Sequence, residues 1–206
     1  MLMLIFGIIT AYLLGSIPTS YLIGRLKGID VRQHGSGNVG ATNVLRVIGK
    51  LPALITLIAD IGKGVLAVTA VAVIFYQENS IINFSVFRAL LGFAVISGHG
   101  WTIFLKFKGG KTVATFIGVF MIIFPVGLSI GLIVWLVTVW LTKYVSLGSI
   151  LMAIIIPIIA AVSAARIEVV VLSVTSCIII CYKHKVNINR LLSGKENKIG
   201  KTDGSS

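Results

Sequence analysis

Six long, almost uncharged runs of apolar residues limit what this chain can fold into. They are Leu2–Ile23, Leu51–Tyr76, Val86–Leu105, Thr112–Thr142, Ser146–Ser163 and Ile167–Tyr182. A helix needs about 20 apolar residues to cross the roughly 30 Å hydrocarbon core of a bilayer. Of the 206 residues, 57% are hydrophobic and only 12% are charged, whereas soluble domains are about 25% charged. The chain is therefore predicted to be an all-α integral membrane protein.

The run Thr112–Thr142 is too long for one ordinary span. It has 31 residues and carries Pro125 near its middle. Proline breaks a helix and the nearby Gly127 permits a turn, so the run is either one long tilted helix or two short ones. The first reading gives six spans in total and the second gives seven.

The distribution of Lys and Arg decides between these readings, because cytoplasmic loops hold the excess of both residues. With seven spans and the N-terminus outside, fifteen of the eighteen cations fall on the cytoplasmic side. With six spans, Lys143 and the basic tail would lie opposite Lys106–Lys111. We therefore expect seven transmembrane helices, an external N-terminus and a cytoplasmic C-terminus. The two helices around Pro125 are expected to have about 13–17 residues each.

One membrane domain is expected over residues 1–194, followed by a disordered, polar cytoplasmic tail at 195–206. Within the domain, Asp60 and Lys63 lie three residues apart in the second run. A carboxylate inside a membrane is costly, and a cation one helical turn away is its expected partner. Cys177 and Cys181 lie four residues apart in an apolar run. That spacing is typical of small buried side chains rather than a disulfide framework or metal site.

Four polar segments rich in glycine, hydroxyls, amides and cations fall on the cytoplasmic side of this topology. We call them cluster 1 (residues 35–46), cluster 2 (98–115), cluster 3 (145–150) and cluster 4 (184–191). Glycines let backbone N–H groups approach an anion, and the polar side chains complete a phosphate cradle. The clusters therefore predict a site for a phosphorylated or otherwise anionic substrate.

Two familiar patterns inside the clusters do not carry their usual meaning. Gly35, Gly37 and Gly40 have the spacing of the dinucleotide-binding fingerprint. That fingerprint needs a βαβ unit, whereas here it lies in a short loop between membrane spans. The segment 110–112 resembles the end of a P-loop, but Leu105 stands where that loop requires glycine. Both patterns indicate an affinity for phosphate at most.

The clusters in their order resemble the bacterial acyl-phosphate:glycerol-3-phosphate acyltransferases of the PlsY type. The strings that carry the resemblance are GSGNVGATNVLR, GHGWTIFLKFKGGKTVAT, VSLGSI and KHKVNINRLL, and it extends from about residue 2 to residue 196. There are departures: Thr112 stands where the family usually has Gly, and Gly148 where it often has Ser. Residues 100–102 replace a commoner stretch that contains Pro.

The resemblance implies a seven-helix, multi-pass enzyme of the bacterial plasma (inner) membrane with its active site at the cytoplasmic face. The implied reaction moves a fatty acyl group from acyl phosphate to the 1-hydroxyl of glycerol 3-phosphate. Its products are lysophosphatidic acid and inorganic phosphate. Membrane lipid is an expected partner, and no cofactor, metal or nucleic acid is expected.

Fifteen residues are expected to form the site. The catalytic ones are Ser36, Arg46 and Lys111, and the substrate-binding ones are Gly37, Asn38, Gly40, Asn43, His99, Lys108, Gly109, Gly110, Ser146, Ser149, His184 and Asn187. Glycerol 3-phosphate is assigned to Ser36, Arg46, His184 and Asn187. The acyl phosphate is assigned to Lys111, the Gly109 and Gly110 amides, and the hydroxyls of Ser146 and Ser149. Asn38 and Asn43 would brace their loop, and His99 is alternatively a structural histidine.

Two other classes of function are open to such a chain. A transporter for a phosphorylated solute would share the glycine-rich clusters, but it should show an internal repeat and a site at the bilayer midplane. Neither feature is evident. Among lipid-synthesis enzymes, thioester-dependent acyltransferases need a His-x4-Asp motif, and Phe104 stands five residues after His99. An alcohol phosphatidyltransferase would need a cluster of aspartates, which the loops do not offer.

Overall fold

The structure, a computed structural model, describes residues 1–199, and every regular element in that range is helical. The α-helices are α1 (Leu2–Ser16), α2 (Thr19–Leu26), α3 (Ala41–Val47), α4 (Lys50–Leu66), α5 (Ala72–Phe75), α6 (Phe84–Gly100), α7 (Val113–Ile123), α8 (Pro125–Thr142), α9 (Val145–Val162), α10 (Ile167–Lys183) and α11 (Lys185–Leu192). A π-helical turn at Ala67–Val71 joins α4 to α5, and a 3₁₀ turn at Ile103–Leu105 follows α6. The predicted all-helical class is confirmed.

Five helical segments of the described chain are long and apolar enough to cross a membrane. They are Leu2–Leu26, Lys50–Phe75, Phe84–Leu105, Pro125–Thr142 and Val145–Val162. A sixth is obtained if α10 and α11, which meet at a bend of 63°, count as one span. Helix α7, with 11 residues, is apolar but short.

The break near Pro125 is confirmed. Helix α7 ends at Ile123 and α8 begins at Pro125, because the first helical position does not need the N–H that proline lacks. The expected lengths are wrong, since the two helices have 11 and 18 residues.

The chain divides into two compact units, residues 1–123 and 124–206. In the first unit, α1 packs against α6 and α4 packs against α7. Glycines set the second of these contacts: a Cβ on Gly64 would overlap the carbonyl of Thr115, and one on Gly118 would overlap that of Ile61. Small residues of this kind let membrane helices approach closely. The contact holds the charged part of α4 beside the start of α7.

In the second unit, α9 packs between α8 and α10, and α11 contacts both α9 and α10. Residues 195–199 follow α11 without helical structure, and the Ile199 N–H donates to the Lys143 carbonyl at 2.9 Å. The remainder of the predicted disordered tail, residues 200–206, lies outside the described residues. The boundary at residue 194 therefore stays a prediction.

Candidate active site

Asn43 organises the loop of cluster 1 from below. Its side chain is only 1% exposed. Its Oδ1 accepts a hydrogen bond from the Ser36 N–H at 2.8 Å, and its Nδ2 donates to the carbonyls of Val31 at 2.8 Å and His34 at 3.1 Å. Both amide donors are thereby used within the protein. Asn43 supports the loop that presents Ser36, in line with the bracing role expected of it.

The other predicted residues of cluster 1 surround this support. Gly37 has a φ of +68°, a conformation that suits glycine. Asn38 lies against Gly40, since a Cβ on Gly40 would stand 2.9 Å from Asn38 Nδ2. Arg46 lies exposed in the last turn of α3. The loop thus combines a braced backbone with one accessible cation.

The neighbouring Arg32 and Asp30 in this loop form an ion pair with each other. Arg32 Nη2 lies 2.6 Å from Asp30 Oδ2. The hydrogen bond from the Arg32 side chain lowers the pKa of Asp30 to about 2. The Arg32 guanidinium also lies 4.6 Å from the ring centroid of Tyr21. Because it is held on both sides, Arg32 is a less suitable substrate ligand than Arg46.

The structure brings clusters 1 and 2 together. Val31, Val39 and Val44 form a small buried core with Ala53 and with Leu105, which belongs to cluster 2. A Cβ on Gly110 would stand 2.7 Å from the carbonyl of Val39. The loop that carries Lys111 therefore packs directly on the loop that carries Ser36.

The two glycines before Lys111 are needed for close backbone approach. The Gly109 N–H donates to the Gly100 carbonyl at 3.2 Å, and the Gly110 N–H donates to the His99 carbonyl at 3.0 Å. A Cβ on Gly109 would overlap the carbonyl of His99. The expectation that these two amides hold a phosphate is therefore corrected, because both N–H groups already bind the end of α6. Lys108 is exposed beside them and Lys111 is half-buried.

A buried ion pair lies beneath this loop. Lys63 Nζ is 2.9 Å from Asp60 Oδ1, with side-chain exposures of 5% and 3%, which confirms the expected pairing. Thr19 Oγ1 donates to the same carboxylate oxygen at 3.2 Å, and Lys63 Nζ donates to the Ile17 carbonyl at 3.2 Å. Buried charges need such partners to offset the loss of hydration.

His99 lies next to this pair. Its Nδ1 is 3.1 Å from Thr115 Oγ1 and 3.7 Å from Asp60 Oδ1. The ring, the ion pair and Gly110 line one small recess. Thr19 and Thr115 were not among the predicted site residues. The available signal was a hydroxyl just after Pro18 in the first apolar run and another at the end of cluster 2.

In the second unit, clusters 3 and 4 meet at Glu196. Its Oε1 accepts hydrogen bonds from Ser146 Oγ at 2.8 Å and from Asn187 Nδ2 at 2.7 Å. Sequence reasoning missed Glu196, although it is the one acidic residue between Glu168 and Asp203 in a basic stretch. Ser146 and Asn187 thus donate to the same acceptor oxygen.

Two further predicted residues make local contacts in this unit. Ser149 Oγ donates to the Val145 carbonyl at 2.9 Å and accepts from Trp135 Nε1 at 3.3 Å. His184 is buried, with Nδ1 2.8 Å from the Ile180 carbonyl. Within residues 1–199, no three His, Cys, Asp or Glu side chains converge as a metal site.

Apolar helices of membrane-crossing length, joined by loops that carry hydroxyls, amides and accessible cations, define an integral membrane protein suited to a phosphorylated ligand. The sequence profile of the family described as glycerol-3-phosphate acyltransferase matches residues 5–194. A glycerol-3-phosphate acyltransferase of Synechococcus sp. (strain CC9902) is 43% identical over 92% of both chains. One of Prochlorococcus marinus (strain MIT 9301) is 44% identical over 95% of this chain and 97% of its own.

Two solved structures are similar as well. A crystal structure of PlsY, an integral membrane glycerol 3-phosphate acyltransferase, in its glycerol 3-phosphate form has a TM-score of 0.87, 38% identity and 96% coverage of both chains. The lysophosphatidic acid form has a TM-score of 0.84 and 37% identity, covering 96% of this chain and 95% of its own. The chain belongs to the glycerol-3-phosphate acyltransferase family, which confirms the resemblance seen in the motifs. It is an integral membrane acyltransferase of phospholipid synthesis.

Proposed function

We propose that this protein transfers a fatty acyl group from acyl phosphate to the 1-hydroxyl of glycerol 3-phosphate. The products are lysophosphatidic acid and inorganic phosphate. The observation that carries the proposal is the similarity to PlsY in two forms, one with glycerol 3-phosphate and one with lysophosphatidic acid. These are the acceptor and the acylated product of the proposed reaction. The acyl-phosphate donor rests on the motif resemblance and on the cations of clusters 1 and 2.

The proposed chemistry needs little more than positioning. The glycerol hydroxyl oxygen attacks the carbonyl carbon of the acyl phosphate, the bond from that carbon to the phosphate oxygen breaks, and phosphate leaves. The hydroxyl proton passes to a phosphate oxygen, so no covalent enzyme intermediate is required. Because the donor is a mixed anhydride with a good leaving group, holding the hydroxyl about 3 Å from the carbonyl supplies much of the acceleration.

Both substrates carry phosphate, and two phosphates repel each other strongly in a partly dehydrated site. In the first unit, Ser36 and Arg46 are the proposed ligands of glycerol 3-phosphate, and Lys111 is the proposed ligand of the acyl phosphate. Lys108 adds positive charge beside it. The support is that cluster 1 and cluster 2 pack on one another and that Asn43 holds the Ser36 loop.

In the second unit, His184 and Asn187 are proposed for glycerol 3-phosphate and Ser146 for the acyl phosphate. The support is the convergence of Ser146 and Asn187 on one carboxylate oxygen of Glu196. Because both donors reach one oxygen, Ser146 and Asn187 lie side by side, as neighbouring phosphates of the two substrates would require. Ser149 is also proposed for the acyl phosphate, to which its hydroxyl can donate only after it turns away from the Val145 carbonyl.

The proposed topology has seven crossings, with the N-terminus outside and the C-terminus and the active site at the cytoplasmic face of the bacterial inner membrane. Its support is the distribution of cations along the chain. An 11-residue helix such as α7 rises only about 16 Å, so this crossing must include residues that flank α7. The orientation can be tested in intact cells by labelling single cysteines that are placed in successive loops of the protein. Labelling of the loop 106–112 from outside would refute it.

The test of the reaction is phosphate release by purified protein supplied with palmitoyl phosphate and glycerol 3-phosphate, with acyl-CoA and acyl-carrier-protein donors in parallel. Of the three donors, only palmitoyl phosphate is expected to support turnover. With it, phosphate release should depend on glycerol 3-phosphate and yield lysophosphatidic acid. Turnover with the thioesters only would refute the donor.

Lys111→Ala and Arg46→Ala are expected to lose about 100-fold or more in kcat/KM while still inserting in the membrane. Near-wild-type turnover of either variant would refute the proposed phosphate ligands.

A further inference from the structure

The imidazole of His99 lies between a buried carboxylate and the glycine loop that precedes Lys111. On one side, its Nδ1 is 3.1 Å from Thr115 Oγ1 and 3.7 Å from Asp60 Oδ1. On the other side, its Nε2 lies so close to Gly110 that a Cβ on that residue would overlap it. The His99 carbonyl also accepts the Gly110 N–H at 3.0 Å. His99 therefore contacts Gly110 through both its ring and its backbone.

One oxygen of Asp60 is shared by several partners. Oδ1 receives Lys63 Nζ at 2.9 Å and Thr19 Oγ1 at 3.2 Å, and it faces the His99 ring. Lys63 is in turn fixed by the Ile17 carbonyl. The carboxylate is thus held by groups from α2 and α4. A buried ion pair is a weak source of stability but a strong constraint on geometry, because moving either charge leaves the other unpaired.

We propose that Asp60 and Thr115 fix the His99 ring so that it supports Gly110, and that this network positions the Lys111 loop. The inference rests on the proposed function, in which Lys111 binds the acyl phosphate. His99 is then a positioning residue rather than the substrate ligand expected from the sequence. A loop held by an underlying network of this kind pre-organises a cation, and misplacement by about 1 Å can cost roughly 100-fold in rate.

The first test uses two matched threonine variants. Thr115→Val keeps the shape of the side chain but removes the hydroxyl that contacts His99. Thr56→Val makes the same change on α4, where the buried Thr56 hydroxyl donates to the Pro52 carbonyl of its own helix. For Thr115→Val we expect the KM for palmitoyl phosphate to rise about tenfold, with the KM for glycerol 3-phosphate within about twofold of wild type. Thr56→Val is expected to leave both values unchanged.

A pair of His99 variants gives a graded result. His99→Ala removes the ring and is expected to lower kcat/KM for palmitoyl phosphate about 100-fold. His99→Asn keeps a polar atom near the position of Nδ1, and its kcat/KM should be about tenfold higher than that of His99→Ala. An asparagine variant no better than alanine would overturn the assigned contact with Thr115 and Asp60.

The second test does not depend on turnover. Amide hydrogen exchange of the segment 106–112 reports the two bonds from Gly109 and Gly110 to the end of α6. We expect exchange at these amides to become about tenfold faster in His99→Ala and Thr115→Val, and to stay unchanged in Thr56→Val. Unchanged exchange with lost turnover would overturn the positioning role, because His99 would then act on the substrate directly.

The two tests also separate this inference from the proposed function. If the wild-type protein does not use palmitoyl phosphate, the proposed donor is refuted. Faster amide exchange in His99→Ala and Thr115→Val would still support the anchoring of the loop by His99 in that case. Normal palmitoyl phosphate turnover in both His99→Ala and Thr115→Val would overturn the positioning role and leave the proposed function standing.

Discussion

Replacement of Asn43 tests how the loop of cluster 1 is held. Asn43→Ala removes three hydrogen bonds, one from the Ser36 N–H and two to the carbonyls of Val31 and His34. Each such bond contributes about 1 kcal/mol, and buried groups left without partners cost more. We expect the loop to lose about 3 kcal/mol of local stability, which raises its open population about 100-fold.

Amide hydrogen exchange of residues 31–46 in detergent-solubilised protein measures this opening, and kcat/KM with glycerol 3-phosphate measures its consequence. Asn43→Asp keeps the acceptor for Ser36 but turns a carboxylate oxygen towards two carbonyls. It should therefore be at least as damaging as Asn43→Ala. Gln33→Ala, at an exposed position of the same loop, is the control. Exchange of the Asn43→Ala loop within about threefold of wild type would refute the bracing role, since it corresponds to less than one hydrogen bond.

Three further predictions concern packing, the ion pair and backbone strain. Gly118→Ala should destabilise the protein by about 2 kcal/mol or more in SDS-induced unfolding, because its Cβ would overlap the Ile61 carbonyl. Gly62 lies on the partner helix α4, and a Cβ there would face open space. Gly62→Ala should therefore stabilise the protein by about 0.5–1 kcal/mol. Equal changes in stability for Gly118→Ala and Gly62→Ala would refute the packing argument. Asp60→Asn and Lys63→Met should each cost about 3–5 kcal/mol, and the double variant less than their sum; strict additivity in a double-mutant cycle would show that the charges do not interact. Thr112→Gly should stabilise the protein by about 1–2 kcal/mol. Thr112 has a φ of +65°, and its buried hydroxyl has no hydrogen-bond partner among the described residues. A lower melting temperature of the variant would contradict this.

The departure at Thr112 illustrates what sequence comparison can suggest. The resemblance placed glycine as the usual residue there, and the structure supplies the reason in the left-handed φ of the position. A β-branched residue rarely adopts this conformation. The pattern located an unusual residue, but only the backbone angle explains why glycine is preferred.

Local features were predictable where they depend on the type and spacing of neighbouring residues. The four clusters, the pairing of Asp60 with Lys63 and the break at Pro125 follow from local signals in the chain. The role of the Gly109 and Gly110 amides was not predictable, because an N–H group serves whichever acceptor the fold brings near it. Here the acceptors are the carbonyls of Gly100 and His99. Glu196 escaped notice for the same reason, since its partners Ser146 and Asn187 lie in distant parts of the chain.

The sequence by itself determined the membrane class, the helical runs and the family, because hydropathy and motif order are properties of neighbouring residues and need no knowledge of distant contacts. Tertiary structure alone decided that Asn43 braces the Ser36 loop and that His99 lies between Asp60 and Gly110. These contacts join elements far apart in the chain. They arise because a buried amide, carboxylate or imidazole must find partners wherever helix packing places them.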